Sequence, residues 1–366
     1  MMIRYLSLIL MTLFFGCKNS NDTIHPSQRT IKIGVVIPET GKYAVIGQGE
    51  RQGMMLALDS INKSNSHFQF EVIFEDFASE TKNVPSIIQK FLRQNVDAII
   101  TSTTAACEVA SPILKSNNII HFVISPDIDI LSRNENNFRI YYNFLSEAKV
   151  LQNYIRENSI KSVALVGSQY SSIQNLINNN LVPWLEKENI QIVYKELIPI
   201  SDRDFKNHFL KIKSLNPELI FLAPMTNQVE LFTKQLEEVG ISANTTDLLG
   251  SFTFNWKPKT FINTLTNYKI IGPYYTPSDD YFTRQFQERF KKEPTFDISY
   301  AYDNLIILSN LLARSKKSDK SFKEIFNSQM EYSGASGKII FTKNNDTDPI
   351  TVIHQIPNKI NIDDDK

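Results

Sequence analysis

The chain has 366 residues, of which 42% are hydrophobic and 21% charged. This length suits two domains of ordinary size, and the composition argues against a disordered chain or a fibrous rod. The 39 basic and 39 acidic residues give a formal net charge of zero. A general nucleic-acid binder needs excess positive charge to meet phosphates, so the balance argues against that class of protein.

Residues 1–16 predict a signal peptide that is removed from the mature chain. Arg4 supplies a positive charge, and residues 5–15 form an uncharged, mostly apolar run that is too short to span a bilayer comfortably. The run ends in Leu-Phe-Phe-Gly-Cys, which resembles the lipobox of bacterial lipoproteins and predicts lipidation of Cys17. The alternative is an ordinary secretory peptide with an incidental cysteine.

Residues 17–30 predict a lipidated cysteine followed by a flexible polar tether that holds a folded body off a membrane. No later segment has eighteen consecutive apolar residues, so the sequence offers no other candidate membrane span. If Cys17 carries lipid, Cys107 is left without a cysteine partner in the chain. The sequence therefore predicts an exported protein without an intramolecular disulfide bond.

From residue 31 onward, short apolar strands alternate with helical stretches. The predicted strands are 31–37, 68–77, 97–101, 119–124, 161–167, 190–197 and 218–223. The predicted helices are 48–62, 85–94, one from about 107, 172–188, 204–214 and 227–239. Repeated strand–helix–strand units predict an α/β protein with two doubly wound, mainly parallel sheets covered on both faces.

The motif search gives no catalytic site and no cofactor site. Gly47, Gly49 and Gly53 mimic a dinucleotide fingerprint, but the spacing is one residue too long and lies ten residues beyond the strand. The five histidines are scattered, and His121 in its apolar strand is interpreted as a core residue. No Cys/His metal spacing and no convincing triad is present, so we expect a protein that is not an enzyme and has no cofactor.

Five segments in order resemble type I periplasmic binding proteins, specifically the leucine/isoleucine/valine-binding group of ABC-transporter receptors. They include a Pro-x-Thr-Gly turn with a long first helix, a Ser-Pro after the fourth strand, and a Tyr-Ala-Tyr-Asp run. The segments are 31–62, 97–114, 117–126, 280–308 and 333–348. The resemblance covers residues 31–356 and implies two Rossmann-like lobes that close on a ligand about three hinge crossovers.

The resemblance also implies where the chain passes between the lobes. The crossovers are expected near 143–147, 270–276 and 329–334. Lobe one is expected at 31–145 plus 275–330, lobe two at 146–273 plus 332–357, and a polar acidic tail at 358–366.

The family's ligand contacts transfer onto this sequence position by position. The loop after the third strand, Ser102 to Ala105, aligns Thr104 with the hydroxyl residue that holds an amino-acid carboxylate, and Thr103 lies beside it. Simple capping of the next helix by Thr104 is the alternative role, and both roles can coexist. Tyr170 matches a cleft tyrosine that stacks on the ligand, with a place in the lobe-two core as its alternative.

Other positions depart from the family pattern. Asp127 and Asp129 stand where small residues and a threonine are usual, and Met225 stands where a glycine-rich or aromatic turn is usual. Phe252 occupies the position of the acid that pairs with a ligand ammonium group. Either Asp127 or Asp129 replaces that acid, or the ligand is a small organic acid, an amide or a modified amino acid, or ligand binding has been lost.

The resemblance implies a lipid-anchored solute-binding protein that faces the periplasm or the cell exterior. It would capture a small ligand for the permease of an ABC importer, or for a sensing system. The alternative is an interaction lipoprotein that uses the same fold to regulate a membrane or cell-wall enzyme without transport.

Overall fold

The computed structural model describes residues 29–64, 67–127, 129–225, 228–273 and 279–357. The predicted signal peptide, Cys17, most of the tether, residues 274–276 of the second crossover and the acidic tail lie outside the described residues. The first strand begins at Arg29, inside the segment that was predicted to be tether.

A five-stranded parallel sheet forms the first lobe, in the order β2-β1-β3-β4-β5. Its strands are β1 (Arg29–Ile37), β2 (Phe68–Asp76), β3 (Ala98–Ser102), β4 (Ile120–Ile124) and β5 (Asn137–Arg139). Successive side chains of β1 belong to different cores: Val35 and Ile37 lie in the largest core, and Val36 lies in another. Because side chains alternate along a strand, this pattern shows that both sheet faces are covered.

Helices from two distant parts of the chain cover this sheet. They are α1 (Ala44–Ser64), α2 (Val84–Arg93), α3 (Thr104–Ser116), α4 (Asp129–Ser132), α11 (Asp279–Phe290), α12 (Phe296–Lys316) and α13 (Phe322–Asn327). Helices α1 and α12 contribute to the largest core, whereas α2 and α3 pack on the other face. Residues of the late helix α12 thus share a core with residues of β1 and α1.

A six-stranded sheet forms the second lobe, in the order β14-β10-β9-β8-β6-β7. Its strands are β6 (Ser162–Ser168), β7 (Gln191–Ile198), β8 (Leu219–Ala223), β9 (Asp247–Gly250), β10 (Lys269–Pro273) and β14 (Thr351–Gln355). All neighbouring pairs are parallel except β10 with β14, which is antiparallel at the sheet edge. The predicted α/β fold with parallel sheets is therefore confirmed, with one antiparallel strand added.

The helices of the second lobe alternate with its strands. They are α5 (Phe144–Glu157), α6 (Ser171–Gln174), α7 (Val182–Lys187), α8 (Lys206–Leu215), α9 (Val229–Glu238) and α10 (Lys259–Ile262). A π-helical turn, Asn175–Leu181, joins α6 to α7, so the predicted helix over 172–188 is continuous but locally widened. Such turns often occur at functional sites.

In chain order, a small antiparallel sheet comes after α13 of lobe one and before β14 of lobe two. Its strands are β11 (Glu331–Gly334), β12 (Gly337–Phe341) and β13 (Thr347–Pro349). Asp303 of α12 accepts hydrogen bonds from the Tyr332 hydroxyl at 2.8 Å and the Ser336 N–H at 2.7 Å, which ties this sheet to lobe one. We propose that the third crossover lies at Ile350, between β13 and β14, instead of at 329–334.

Candidate functional site

The candidate site lies where the carboxyl ends of strands from both lobes come together. Tyr43 follows β1 in lobe one, and Tyr170 follows β6 in lobe two. Their ring centroids are 6.0 Å apart at an interplanar angle of 74°, an edge-to-face contact across the two lobes. Ligands of open parallel sheets bind beyond the carboxyl ends of the strands, so this contact marks the cleft.

The loop after β3 carries the predicted hydroxyl residues, and each has a different environment. Thr103, not Thr104, caps helix α3, because its hydroxyl oxygen accepts a hydrogen bond from the Ala106 N–H. Thr104 is buried, and its hydroxyl lies 2.8 Å from that of Ser125 after β4. The capping alternative proposed for Thr104 is therefore wrong, while Ala105 is exposed at the start of the helix.

Thr103 has an unusual backbone conformation, with φ 73° and ψ 140°. Side chains with a Cβ rarely adopt this region, and such strain is stored most often at ligand-binding or active sites. Its backbone N–H donates to the Ile124 carbonyl at 3.2 Å, which holds the loops after β3 and β4 together. The strained loop is consistent with a site at this end of the sheet.

Glu50 of α1 is a buried carboxyl group that the sequence reasoning missed. The Ser102 hydroxyl donates to its Oε1 at 2.7 Å. Burial raises the pKa of Glu50 well above 4.5; the hydrogen bond from Ser102 opposes the rise, and the negative charge of Asp297 adds to it. Burial therefore favours the neutral, protonated form of Glu50. Ser102, which donates this hydrogen bond to Glu50, lies buried at the end of β3.

Asp127 and Asp129 follow β4 in the chain. Asp127 is half-buried and Asp129 is exposed at the start of α4. Both line a cavity of about 220 Å³ together with Asn175, Asn179 and Asn180 of the π-helical turn in lobe two. The two aspartates thus face amide side chains across the lobes.

The predicted lobe-two residues differ in exposure. Tyr170 is half-buried, and burial raises the pKa of its hydroxyl above the usual range. Met225 follows β8 and is buried, and its N–H donates to the Ser168 hydroxyl at 2.6 Å. That bond fixes the turn after β8, so Met225 contributes packing at the floor of lobe two.

Phe252 is fully buried in an aromatic cluster at the hinge. Its ring stacks on that of Tyr142 with centroids 4.0 Å apart and planes within 5°. The Phe296 ring meets it edge-on at 4.9 Å. Tyr142 lies in the connection between β5 of lobe one and α5 of lobe two, so Phe252 packs a lobe-two loop against this connection.

Glu147 in the first turn of α5 is a second buried acid that the sequence reasoning missed. Its Oε1 accepts a hydrogen bond from the Phe252 N–H at 3.1 Å. Burial raises the pKa of Glu147 to about 7, against hydrogen bonds from the Ser251 hydroxyl and the Phe252 N–H, which lower it. An acid therefore does stand beside Phe252, but it comes from a helix after the hinge.

The helical spacing of buried residues in the sequence indicates the positions of both acids, Glu50 and Glu147. Glu147 precedes Leu151 and Ile155 by four and eight residues, and both of these are buried. Glu50 precedes the buried Met54 by four residues in the same way. An acid on the apolar stripe of a helix is costly without compensation, so its position marks a functional or specially paired group.

His121 lies in a buried polar network behind the cleft. Its ring nitrogens lie 2.7 Å from Thr101 Oγ1 and 2.7 Å from Asn137 Oδ1. Burial lowers the pKa of His121 to about 4, so the ring is neutral, and burial raises the pKa of the neighbouring Cys107 thiol to about 12. Both residues serve the core of lobe one.

Within residues 29–357, omitting the gaps given above, no group of three or more His, Cys, Asp and Glu residues has an arrangement that could hold a metal ion. In the same part of the chain, no helix is both long and apolar enough to cross a membrane.

Comparison with solved structures supports the fold. A solute-binding protein of an ABC transporter from Rhodopseudomonas palustris, solved with 3,4-dihydroxybenzoic acid, has a TM-score of 0.79 at 19% identity, covering 89% of this chain and 93% of that one. The branched-chain amino acid transporter substrate-binding protein LivJ from Streptococcus pneumoniae, solved with isoleucine, has a TM-score of 0.74 at 20% identity, covering 90% and 97%. At these identities the likeness establishes the fold alone.

Sequence comparison gives the family. A Leu/Ile/Val-binding protein homolog of Brucella melitensis is 25% identical over 221 residues, which are 58% of this chain and 59% of that protein. The match thus spans less than two thirds of the curated relative. The periplasmic binding protein family matches residues 30–353, which confirms the resemblance found in the sequence. This chain belongs to the periplasmic binding protein family.

Proposed function

We propose that this chain is a lipid-anchored, extracytoplasmic solute-binding protein without enzymatic activity. It captures a small ligand, an amino acid or a related organic acid or amide, between its lobes. It then presents the closed complex to the permease of an ABC importer or to a sensor. The observation that carries the proposal is the cleft itself, where Tyr43 and Tyr170 meet beyond the strand ends and beside a strained, hydroxyl-rich loop.

The loop after β3 offers an anion site in lobe one. Helix α3 has thirteen residues, and its first N–H groups lie beside Thr103 and Thr104. A helix N-terminus favours negative charge, so a ligand carboxylate fits there. The relatives' names and solved complexes, with amino acids and with benzoates, are compatible with a small carboxylate ligand.

Removing the cleft contacts is expected to weaken ligand binding without unfolding the protein. Tyr170→Ala removes a ring that would stack on the ligand, and Thr104→Ala removes a hydroxyl at the anion site. Each variant should lose about 1–2 kcal/mol of binding free energy, the scale of a lost ring contact or hydrogen bond. The measurement is calorimetric titration with the ligand found by native mass spectrometry or by thermal shift against amino acids, amides and organic acids.

Controls separate this effect from lost stability. Tyr281→Ala removes a tyrosine that is 62% exposed outside the cleft, and Thr245→Ala removes an exposed threonine. Both should leave the affinity unchanged. Unchanged affinity in Tyr170→Ala and Thr104→Ala as well would show that the site is misplaced, and no ligand in the whole panel would favour the scaffold alternative.

The lipid anchor is tested at Cys17. The wild-type protein should enter the detergent phase of a detergent–water partition and gain the mass of a diacylglycerol group on Cys17. Cys17→Ser should move the protein to the aqueous phase, because acyl chains supply about 0.8 kcal/mol of membrane affinity per buried methylene. A wild-type protein that is cleaved, unmodified and wholly aqueous would instead support an ordinary secretory peptide.

A further inference from the structure

A small polar region lies next to Phe252, on the hinge side of lobe two. Glu147 stands in the first turn of α5, at the end of the expected first crossover, and is buried. Its Oε1 is fixed by the Phe252 N–H at 3.1 Å. The side chain is therefore held in one place by the backbone of the loop after β9.

Three polar atoms around this loop have no partner in the described part of the chain. They are Oε2 of Glu147, the hydroxyl of Tyr142 and the hydroxyl of Thr253, and all three are buried. Tyr142 stacks on Phe252, whose N–H meets Glu147, so the first two groups adjoin the same residue. Buried polar atoms are costly unless they are satisfied, so their grouping points to a donor that binds here.

The chemistry of this region favours a donor that carries nitrogen. No basic side chain of the described residues pairs with Glu147. The pKa of Tyr142 is raised mainly by burial, and the negative charge of Glu147 is the second cause. A carboxyl group and a phenol oxygen that both adjoin Phe252, with no basic side chain paired to the carboxyl, can accept from an ammonium or amide N–H, and an ionised carboxyl repels a second carboxylate.

We propose that Glu147, assisted by Tyr142, is the acceptor for an N–H group of the ligand and selects nitrogen-bearing ligands over purely carboxylic ones. This inference rests on the proposed solute-binding function. Glu147 takes, from the helix after the hinge, the part that an acid in the position of Phe252 would play. Because α5 follows the first crossover, a ligand held by Glu147 also contacts the hinge.

Matched ligand pairs test the proposal on the detergent-purified full chain. The pairs are leucine with 2-hydroxy-4-methylpentanoate, alanine with lactate, 4-aminobenzoate with 4-hydroxybenzoate, and benzamide with benzoate. Calorimetric affinities for the wild type should favour the nitrogen member of the best-binding pair by about 10-fold or more, the scale of a hydrogen bond to a charged group. Equal affinities, or a preference for the oxygen member, would overturn the proposal.

Two variants identify the residues responsible. Glu147→Gln keeps the shape and removes the charge, so it should weaken the nitrogen member about 10-fold and change the oxygen member by less than about two-fold. Tyr142→Phe should weaken the nitrogen member about three- to ten-fold while keeping the stack on Phe252. Glu157→Gln, an exposed acid at the other end of the same helix, is the control and should bind like the wild type.

The outcomes separate this proposal from the one on which it rests. If no compound of a full amino-acid, amide and organic-acid panel binds the wild type, the solute-binding function fails and this inference fails with it. If a ligand binds and Glu147→Gln keeps the wild-type preference while its thermal unfolding is intact, only the role of Glu147 is overturned. If Glu147→Gln does not fold, Tyr142→Phe decides the case by the same ratio of affinities.

Discussion

Asp346→Ala is expected to destabilise the protein by about 3–5 kcal/mol, because it leaves the Arg139 guanidinium buried without its counter-charge. Arg139 is 0% exposed at the end of β5, and its Nε and Nη2 donate to the two carboxylate oxygens of Asp346 at 2.8 and 2.6 Å. Asp346 is only 17% exposed. Water therefore has little access to replace the lost carboxylate.

The same pair ties distant parts of the chain together. Arg139 and Asp346 are 207 residues apart in the chain. The Arg139 N–H donates to the Asn345 carbonyl, and the Thr347 hydroxyl donates to the Arg139 carbonyl. Asp348, two residues after Asp346, accepts a hydrogen bond from the Ser146 hydroxyl in the first turn of α5. The segment before β14 thus locks both the end of β5 and the first crossover.

Urea unfolding at pH 7 measures the effect, with two comparisons. Arg139→Met removes the buried charge together with its need for a partner, so it should cost less than Asp346→Ala. Glu188→Ala breaks the exposed Arg156–Glu188 pair and should cost roughly 0–1 kcal/mol. If Asp346→Ala lowers the unfolding free energy as little as Glu188→Ala does, the Arg139–Asp346 pair does not stabilise the fold.

The sequence predicted the architecture because the sheets are built from local patterns. Short apolar strands such as those at 31–37 and 218–223 alternate with amphipathic helices, and this alternation depends only on neighbours in the chain. The third crossover was harder to place. Our proposal of Ile350 for this crossover rests on the hydrogen bond between Asp303 and the Ser336 N–H and on the antiparallel pairing of β14 with β10, which are contacts between distant residues that leave no period in the sequence.

The site was predicted less completely, and for a similar reason. Alignment to the family pattern drew attention to loop residues such as Thr104 and Phe252, whose positions follow strand ends. The two buried acids come from helices instead, and each reaches a loop at a strand end only through a tertiary contact, Glu50 with Ser102 and Glu147 with the Phe252 N–H. Helical spacing places an acid on a buried face, but only packing shows what it meets.

Glu50 gives the second large prediction, which concerns the dependence of stability on pH. Its pKa in the folded protein lies well above 4.5, mainly through burial, and unfolding returns it to that ordinary range. The native state therefore holds a proton that the unfolded state loses above about pH 5. The contribution of Glu50 to the unfolding free energy is therefore fully present below its unfolded pKa. It is lost as the pH rises from there to the folded pKa.

Glu50→Gln should remove this loss, because glutamine stays neutral and keeps an oxygen for the Ser102 hydroxyl. The difference in unfolding free energy, variant minus wild type, should increase as the pH rises above the unfolded pKa of Glu50, by up to about 1.4 kcal/mol per pH unit until the folded pKa is reached. Urea unfolding at pH 5, 6 and 7 measures it. Taking the difference cancels the parallel losses of stability from raised carboxyls that do not interact with Glu50, such as Asp303, whose pKa burial raises to about 6.

The control is Glu80→Gln, which changes an exposed glutamate of the same lobe and should give a difference independent of pH. Asp297→Asn provides a second check, since its own difference should grow mainly between pH 4 and 6 and then level off. A pH-independent difference for Glu50→Gln would mean that Glu50 is ionised in the folded protein. A cation or solvent would then have to reach it, and the cleft beside Ser102 would be wetter than the burial of these residues implies.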